Sequence, residues 1–346
     1  MKKNPSLDQR VVRSLRGLMV VVLLLVAAWS MLVVLVVLRP GLLTPPEKLT
    51  TNEPKHPARD WLPPDINALP ATEEANRIRY GRELIVRTAV YLGPKGSVAK
   101  ISNGMNCQNC HLDAGTKPFG NNFSAVAANY PRFRARSGTE ETIEKRVNDC
   151  LERSLNGKPL DERSAEMRAM VAYIHWLGKD VPKGATPAEA GLPDLPFLQV
   201  AADPVKGAAL YEEKCTTCHG KDGAGIRASD SVTFVYPPLW GNHSFNSGAG
   251  LFRLSKMAGY IKANMPLGAS YAEAQLTDEE AWYIAAYVNS MPRPAKDIRH
   301  DWPDIRTKPV DHPFGPYADG FSELQHKYGP FQPIADQRKA ADNSRK

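Results

Sequence analysis

Two copies of the pattern Cys-X-X-Cys-His, Cys107-Gln-Asn-Cys110-His111 and Cys215-Thr-Thr-Cys218-His219, use four of the five cysteines in this chain of 346 residues. No other feature constrains the fold as strongly. The pattern is the attachment signal of c-type haem, in which two thiols add across the haem vinyl groups and the adjoining imidazole becomes the proximal iron ligand. A zinc site built from both Cys pairs would rarely carry His directly after the second Cys in each half, and a redox dithiol has no use for that His. The motifs therefore predict two covalently bound haem c groups, each in a domain of about 100 residues.

The stretch from Leu18 to Leu38 is apolar apart from Ser30. At about 1.5 Å per helical residue it is long enough to cross a hydrocarbon core of roughly 30 Å. Lys2, Lys3, Arg10, Arg13 and Arg16 precede it, which predicts a cytoplasmic N-terminus over 1–17 and a single-pass anchor over 18–38. A cleaved signal peptide would have a shorter apolar region, whereas this one continues past Ala27-Ala28 through Trp29 and Met31. The expected location is the bacterial inner membrane, with the haem domains in the periplasm, where c-type maturation occurs. Residues 39–70, with eight prolines from Pro40 to Pro70, read as an extended tether.

Beyond the tether the chain reads as an internal repeat. A helical stretch from Thr72 to about Val90 precedes the first haem motif, and a helix with Met167, Met170, Val171, Ile174 and Leu177 on one face closes the unit. In the second copy a helix around Val205–Glu213 precedes Cys215, and a helix opened by the capping box Thr277-X-X-Glu280 closes it. Gly81 and Gly207 in the first helices, with Tyr173 and Tyr287 in the last, match the helix crossing of a class I cytochrome c domain. The fold class is thus mainly α, with two such domains in tandem over 71–190 and 191–293. An irregular Pro-, Gly- and aromatic-rich extension over 294–346 is expected to lie across both, with residues from about 336 disordered. His300, His312 and His326 in the extension read as structural.

The repeat also locates the distal ligands. Met265 lies 46 residues after His219 and 22 before Tyr287, where a small cytochrome c presents its axial sulfur. Met257 is the rival, within the amphipathic run Leu251–Ile261. In the first domain, 23 residues before Tyr173, stands Cys150, with no Met nearby. An unpaired thiol is a liability in an oxidising compartment unless something holds it, and a bond to iron would do so. The alternative is a buried structural thiol.

The chain resembles the dihaem thiosulfate dehydrogenases, which also act as tetrathionate reductases. The resemblance spans roughly residues 71–335. It rests on the haem motifs, Arg136, and Lys145-Arg146-Val-Asn-Asp-Cys150-Leu-Glu-Arg-Ser154-Leu-Asn-Gly157 in the first domain. In the second it rests on Pro237-Pro238-Leu-Trp240-Gly, Ser244-Phe-Asn246 and Asn264-Met265-Pro266, and in the extension on His326-Lys-Tyr-Gly-Pro-Phe331. It implies that Cys150 is both a haem ligand and the site of sulfur chemistry. Some members carry Lys immediately before the distal Met and exchange the two as ligands. Here that position is Asn264, so the resemblance implies a fixed His219/Met265 pair.

The residues suit that chemistry. Joining two thiosulfates into tetrathionate releases two electrons, and two one-electron haems can store both. Thiolate ligation at a His111/Cys150 haem lowers its potential and thioether ligation at a His219/Met265 haem raises it, so electrons run from first to second and on to an external acceptor. That acceptor would be a soluble cytochrome c or a membrane respiratory component. Thiosulfate is a dianion, which calls for fixed cations: Arg136 and Arg146 lie 14 and 4 residues before Cys150, and Ser154 one helical turn after it. These four residues form the expected catalytic set, the helix being expected over Glu140–Ser154. Arg132, Arg134 and Arg153 read more readily as solvated charges. The net charge of +7 is spread along the chain with no run that could track a phosphate backbone, which argues for small anions or an acidic partner and against nucleic acid. A non-catalytic dihaem electron carrier is the alternative, though it has no use for a Cys-ligated iron beside paired arginines.

Overall fold

In the computed structural model, which describes residues 18–27, 29–31 and 61–344, one helix crossing occurs twice. Helix α1 (Glu73–Val86) leads to α2 (Ile143–Arg153) and α3 (Ala165–Leu177); α4 (Pro204–Lys214) leads to α5 (Leu254–Asn264) and α6 (Asp278–Ser290). A Cβ added at Gly81 of α1 would stand 1.9 Å from the Ala169 carbonyl oxygen and 2.9 Å from Tyr173 Cβ in α3. At Gly207 of α4 the same distances, 1.9 and 2.9 Å, recur to the Tyr283 carbonyl oxygen and Tyr287 Cβ in α6. Any side chain there would force the crossing helices apart, so glycine is a packing requirement of both domains. The capping box that starts α6 is formed, with Thr277 Oγ1 accepting from Glu280 N at 3.1 Å and Glu280 Oε2 from Thr277 N at 2.8 Å.

Several segments depart from the sequence expectation. The first helix breaks at Arg87, and Thr88–Leu92 forms a separate short helix. Thr88 Oγ1 bonds back to the Leu84 carbonyl at 2.7 Å and accepts from Cys107 N at 3.0 Å, so the break ties the helix end to the first haem motif. The helix expected from Glu140 begins only at Ile143. Thr139–Glu141 (β2) instead pairs antiparallel with Arg132–Arg134 (β1), and Thr142 caps the helix through Lys145 N at 3.2 Å.

The tether also ends earlier than proline content suggested. Trp61 is buried in the core of the first domain, with its indole N–H donating to the Leu177 carbonyl at 3.3 Å, and Ile66–Ala68 forms a 3-10 turn. The tail is corrected too: α8 (Gln332–Asn343) covers most of the residues expected to be disordered, following the short α7 (Glu323–Tyr328). Ile334 at its start is fully buried, and Pro333 in its first turn favours helix initiation.

The extension before α8 crosses both domains. Asp301 receives both terminal nitrogens of Arg153 at 2.7 and 2.8 Å, Asp311 pairs with Arg253 at 2.6 Å, and the Tyr328 carbonyl accepts from Ala202 N at 2.8 Å. Residues 18–27 and 29–31 are helical and belong to a separate N-terminal unit. Among the described residues no helix is long and apolar enough to cross a membrane, and the remainder of 18–38 lies outside them, as do 1–17 and 39–60.

Candidate haem pockets and anion site

His111 Nδ1 lies 2.6 Å from the Asn121 carbonyl and His219 Nδ1 lies 2.9 Å from the Pro237 carbonyl. A carbonyl can only accept, so each Nδ1 carries the proton and each Nε2 is left with a free lone pair, the form an iron ligand requires. Both motifs also open onto cavities. Together these features fit haem c in each domain.

The first cavity is lined by Cys107, Cys110, His111, Arg146, Cys150 and Ser154, so the spacing along α2 does bring Arg146 and Cys150 to one wall. Ile143 and Leu151 of the same helix are buried and hold it on the core. Burial pushes the Cys150 thiol up, but the neighbouring Arg146 guanidinium, the largest opposing influence, pulls it below the ordinary thiol range. The attachment thiols behave differently, burial raising Cys107 to about 11 and Cys110 to about 12. Cys150 is thus the thiol whose surroundings favour the charged form. Reciprocally, Cys150 raises the Arg146 guanidinium above its ordinary range despite burial.

The second cavity, about 330 Å³, is lined by Cys215, Cys218, His219 and both candidate methionines. Met257 lies inside α5 and is 4% exposed, whereas Met265 directly follows the helix in extended backbone, φ −128° and ψ 148°. Asn264 is buried and donates to the carbonyls of Phe119 at 3.0 Å and Tyr260 at 3.1 Å. Cys110 lines this cavity as well as the first, and the hydroxyl of Tyr260 donates to the Asn109 carbonyl at 2.7 Å. The two pockets share a wall.

A third cavity, about 390 Å³, is lined by Arg132, Arg134, Arg136, Arg146 and Arg253, together with Trp302 and His312. Arg146 lines both this cavity and the Cys150 pocket. Arg136 is held by Asp149 at 2.5 Å, and Lys145 reaches the same carboxylate at 2.6 Å. Burial, then the nearby Arg146 and Arg153, lower the Arg136 guanidinium below its usual range against the opposing pull of Asp149. Packed like charges of this kind favour an anion between them.

Arg132 and Arg134, read from sequence as solvated charges, therefore face the same cavity, while Arg153 turns away to Asp301. Arg253, Trp302 and His312 were not reached from sequence as members of this site. Arg253 comes from the second domain and is aimed by Asp311 of the extension, a relation with no local signal. His326 is structural, bonded between the Val310 carbonyl at 2.8 Å and Asp319 at 2.9 Å, and His300 is exposed.

A duplicated helix crossing, with a proton-oriented histidine in each copy, defines a c-type cytochrome of two domains. Comparison with known proteins divides the chain the same way. The SoxA/TsdA cytochrome c domain matches residues 97–182 and the cytochrome c family matches residues 204–292. The thiosulfate dehydrogenase of Allochromatium vinosum is 42% identical over 218 residues, 61% of this chain and 79% of that protein. The enzyme of the same name from Stutzerimonas stutzeri is 37% identical over 68% of this chain and 73% of its own length. Among solved structures, the "as isolated" form of Marichromatium purpuratum thiosulfate dehydrogenase (TsdBA) aligns with a TM-score of 0.63 at 33% identity, covering 68% of this chain and 50% of that one. The chain belongs to the dihaem thiosulfate dehydrogenase family.

Proposed function

We propose that this protein joins two thiosulfates into tetrathionate. Two haem c groups, attached through Cys107 and Cys110 with His111 and through Cys215 and Cys218 with His219, supply two one-electron acceptors, the first tuned low by Cys150 thiolate and the second high by Met265 thioether. The five-arginine cavity gathers the dianions, and Arg146, shared between that cavity and the Cys150 pocket, hands them to the thiol; this shared residue is the observation that carries the reading. Arg136 adds a second cation and Ser154 a hydroxyl donor.

The Cys150 thiolate and the terminal sulfur of one thiosulfate form an S–S bond with release of two electrons. The terminal sulfur of the second thiosulfate then attacks the bonded sulfane sulfur, forming tetrathionate and returning the thiolate. The chemistry is reversible in principle. The wall shared at Cys110, with Tyr260 bonded to the adjoining Asn109 carbonyl, supports electron passage from the first site to the second, and then to a soluble cytochrome c or a membrane respiratory component. Leu18–Leu38 anchors the protein in the bacterial inner membrane with these domains in the periplasm.

Replacing Cys150 with Ala tests the reading. The variant is expected to keep both haems on a denaturing gel yet lose nearly all tetrathionate formation with thiosulfate and an artificial acceptor. Haem-replete Cys150→Ala protein working at the parent rate would leave only a role as electron carrier.

A further inference from the structure

The segment Ser244-Phe245-Asn246 of the second domain has no part in the chemistry above. Yet Asn246 is 1% exposed, and its bonds run to the Cys150 helix. Its main-chain N–H donates to the Arg153 carbonyl at 3.0 Å, and its side-chain amide donates to the Glu152 carbonyl at 2.8 Å and to Asn156 Oδ1 at 3.0 Å. Its own Oδ1 accepts from Gly248 N at 3.0 Å, which fixes the amide orientation.

Glu152 and Arg153 are the last residues of α2, and the final carbonyls of a helix have no partner within it. The carbonyls of Cys150 and Leu151 are met locally, by Ser154 and Leu155 and by Gly157. Those of Glu152 and Arg153 are met from the other domain. Along the helix they follow Cys150 by less than one turn. The neighbouring Phe245 meanwhile lines the second haem cavity, so two consecutive residues touch that pocket and the helix that carries the thiol of the first.

We propose that Asn246 is a positioning residue: by capping the C-terminal turn of α2 from the second domain, it sets where the Cys150 sulfur stands relative to the first haem. The packing of the second pocket thereby biases ligation in the first. This rests on Cys150 being the distal ligand of that haem.

The experiment compares haem-loaded Asn246→Ala with Asn289→Ala and Cys150→Ala. Asn289 is also buried in the second domain and also donates its amide to two carbonyls, Leu251 at 3.1 Å and Phe252 at 3.2 Å, neither of them in α2. Asn246→Ala is expected to retain two haems per chain and the spectrum of the second, while shifting the low-spin ferric thiolate signal and the midpoint potential of the first. Its kcat should fall at least about threefold with KM nearly unchanged, the split expected when sulfur geometry rather than anion binding is disturbed. Asn289→Ala should lower stability without moving the first-haem signal. Asn246→Ser, which keeps the main-chain bond and a hydroxyl donor, should show a smaller shift and serves if the Ala variant does not fold. An unchanged first-haem signal in the Asn246 variants would overturn the proposal, as would an equal shift in Asn289→Ala. If Cys150→Ala leaves that signal unchanged, the ligand assignment itself is wrong and the proposal falls with it.

Discussion

Replacing Arg146 with Ala removes the one cation, among the described residues, common to the anion cavity and the Cys150 pocket. Because this residue is partly buried beside the thiol, solvent screens its contact with a bound dianion less than it would at a surface pair. A charge-assisted hydrogen bond in that setting contributes about 1.5–3 kcal/mol, which corresponds to roughly 10- to 150-fold in kcat/KM. The fold should survive, since Asp149 retains Arg136 at 2.5 Å and Lys145 at 2.6 Å, and α2 keeps its buried Ile143 and Leu151. Arg146→Lys keeps the charge but loses the planar fork, and should recover only part of the loss. The assay is steady-state thiosulfate oxidation with an artificial acceptor, alongside haem stoichiometry and the visible spectrum of each variant. Arg146→Ala protein with both haems and a kcat/KM within about twofold of the parent would refute the anion-handling role.

Two further outcomes are expected. Met265→Ala should change the spectrum and lower the potential of the second haem while leaving the first untouched, and Met257→Ala should cost stability with little spectral change; the opposite pattern in reduced-minus-oxidised spectra would make Met257 the ligand. Burial lowers His312 to about 4, so the folded protein holds it neutral where the unfolded chain, near 6.5, takes up a proton. Its contribution is therefore complete above about pH 6.5 and is lost as pH falls toward 4, by at most roughly 3 kcal/mol, and the stability difference between parent and His312→Asn, measured by denaturant unfolding at pH 7 and 4.5, should change by that order.

What the sequence determined by itself was whatever depends on neighbours along the chain. The attachment motifs need two thiols and an imidazole at fixed short spacing, which local backbone geometry alone supplies. The place of Arg146 relative to Cys150 follows from one helical turn, and Gly81 and Gly207 could be read because a repeat supplies its own internal comparison. Where a local signal competed with a distant partner, the linear reading went astray. Glu141 looked helical until β2 found β1, the proline-rich segment hid the anchoring role of Trp61, and the polar tail hid a helix nucleated at Pro333 and pinned by Ile334.

Only the tertiary structure decided that Arg134 and the exposed Arg132 line a cavity, and that Arg153 is spent on Asp301. It alone brought Arg253, 107 residues beyond Arg146 in the sequence, into the same basic wall, and Asn246 to the end of the Cys150 helix. The physical reason is the same in each case. A hydrogen bond or shared cavity between residues a hundred positions apart leaves no periodicity in the chain, because its geometry exists only after both domains and the extension have packed together.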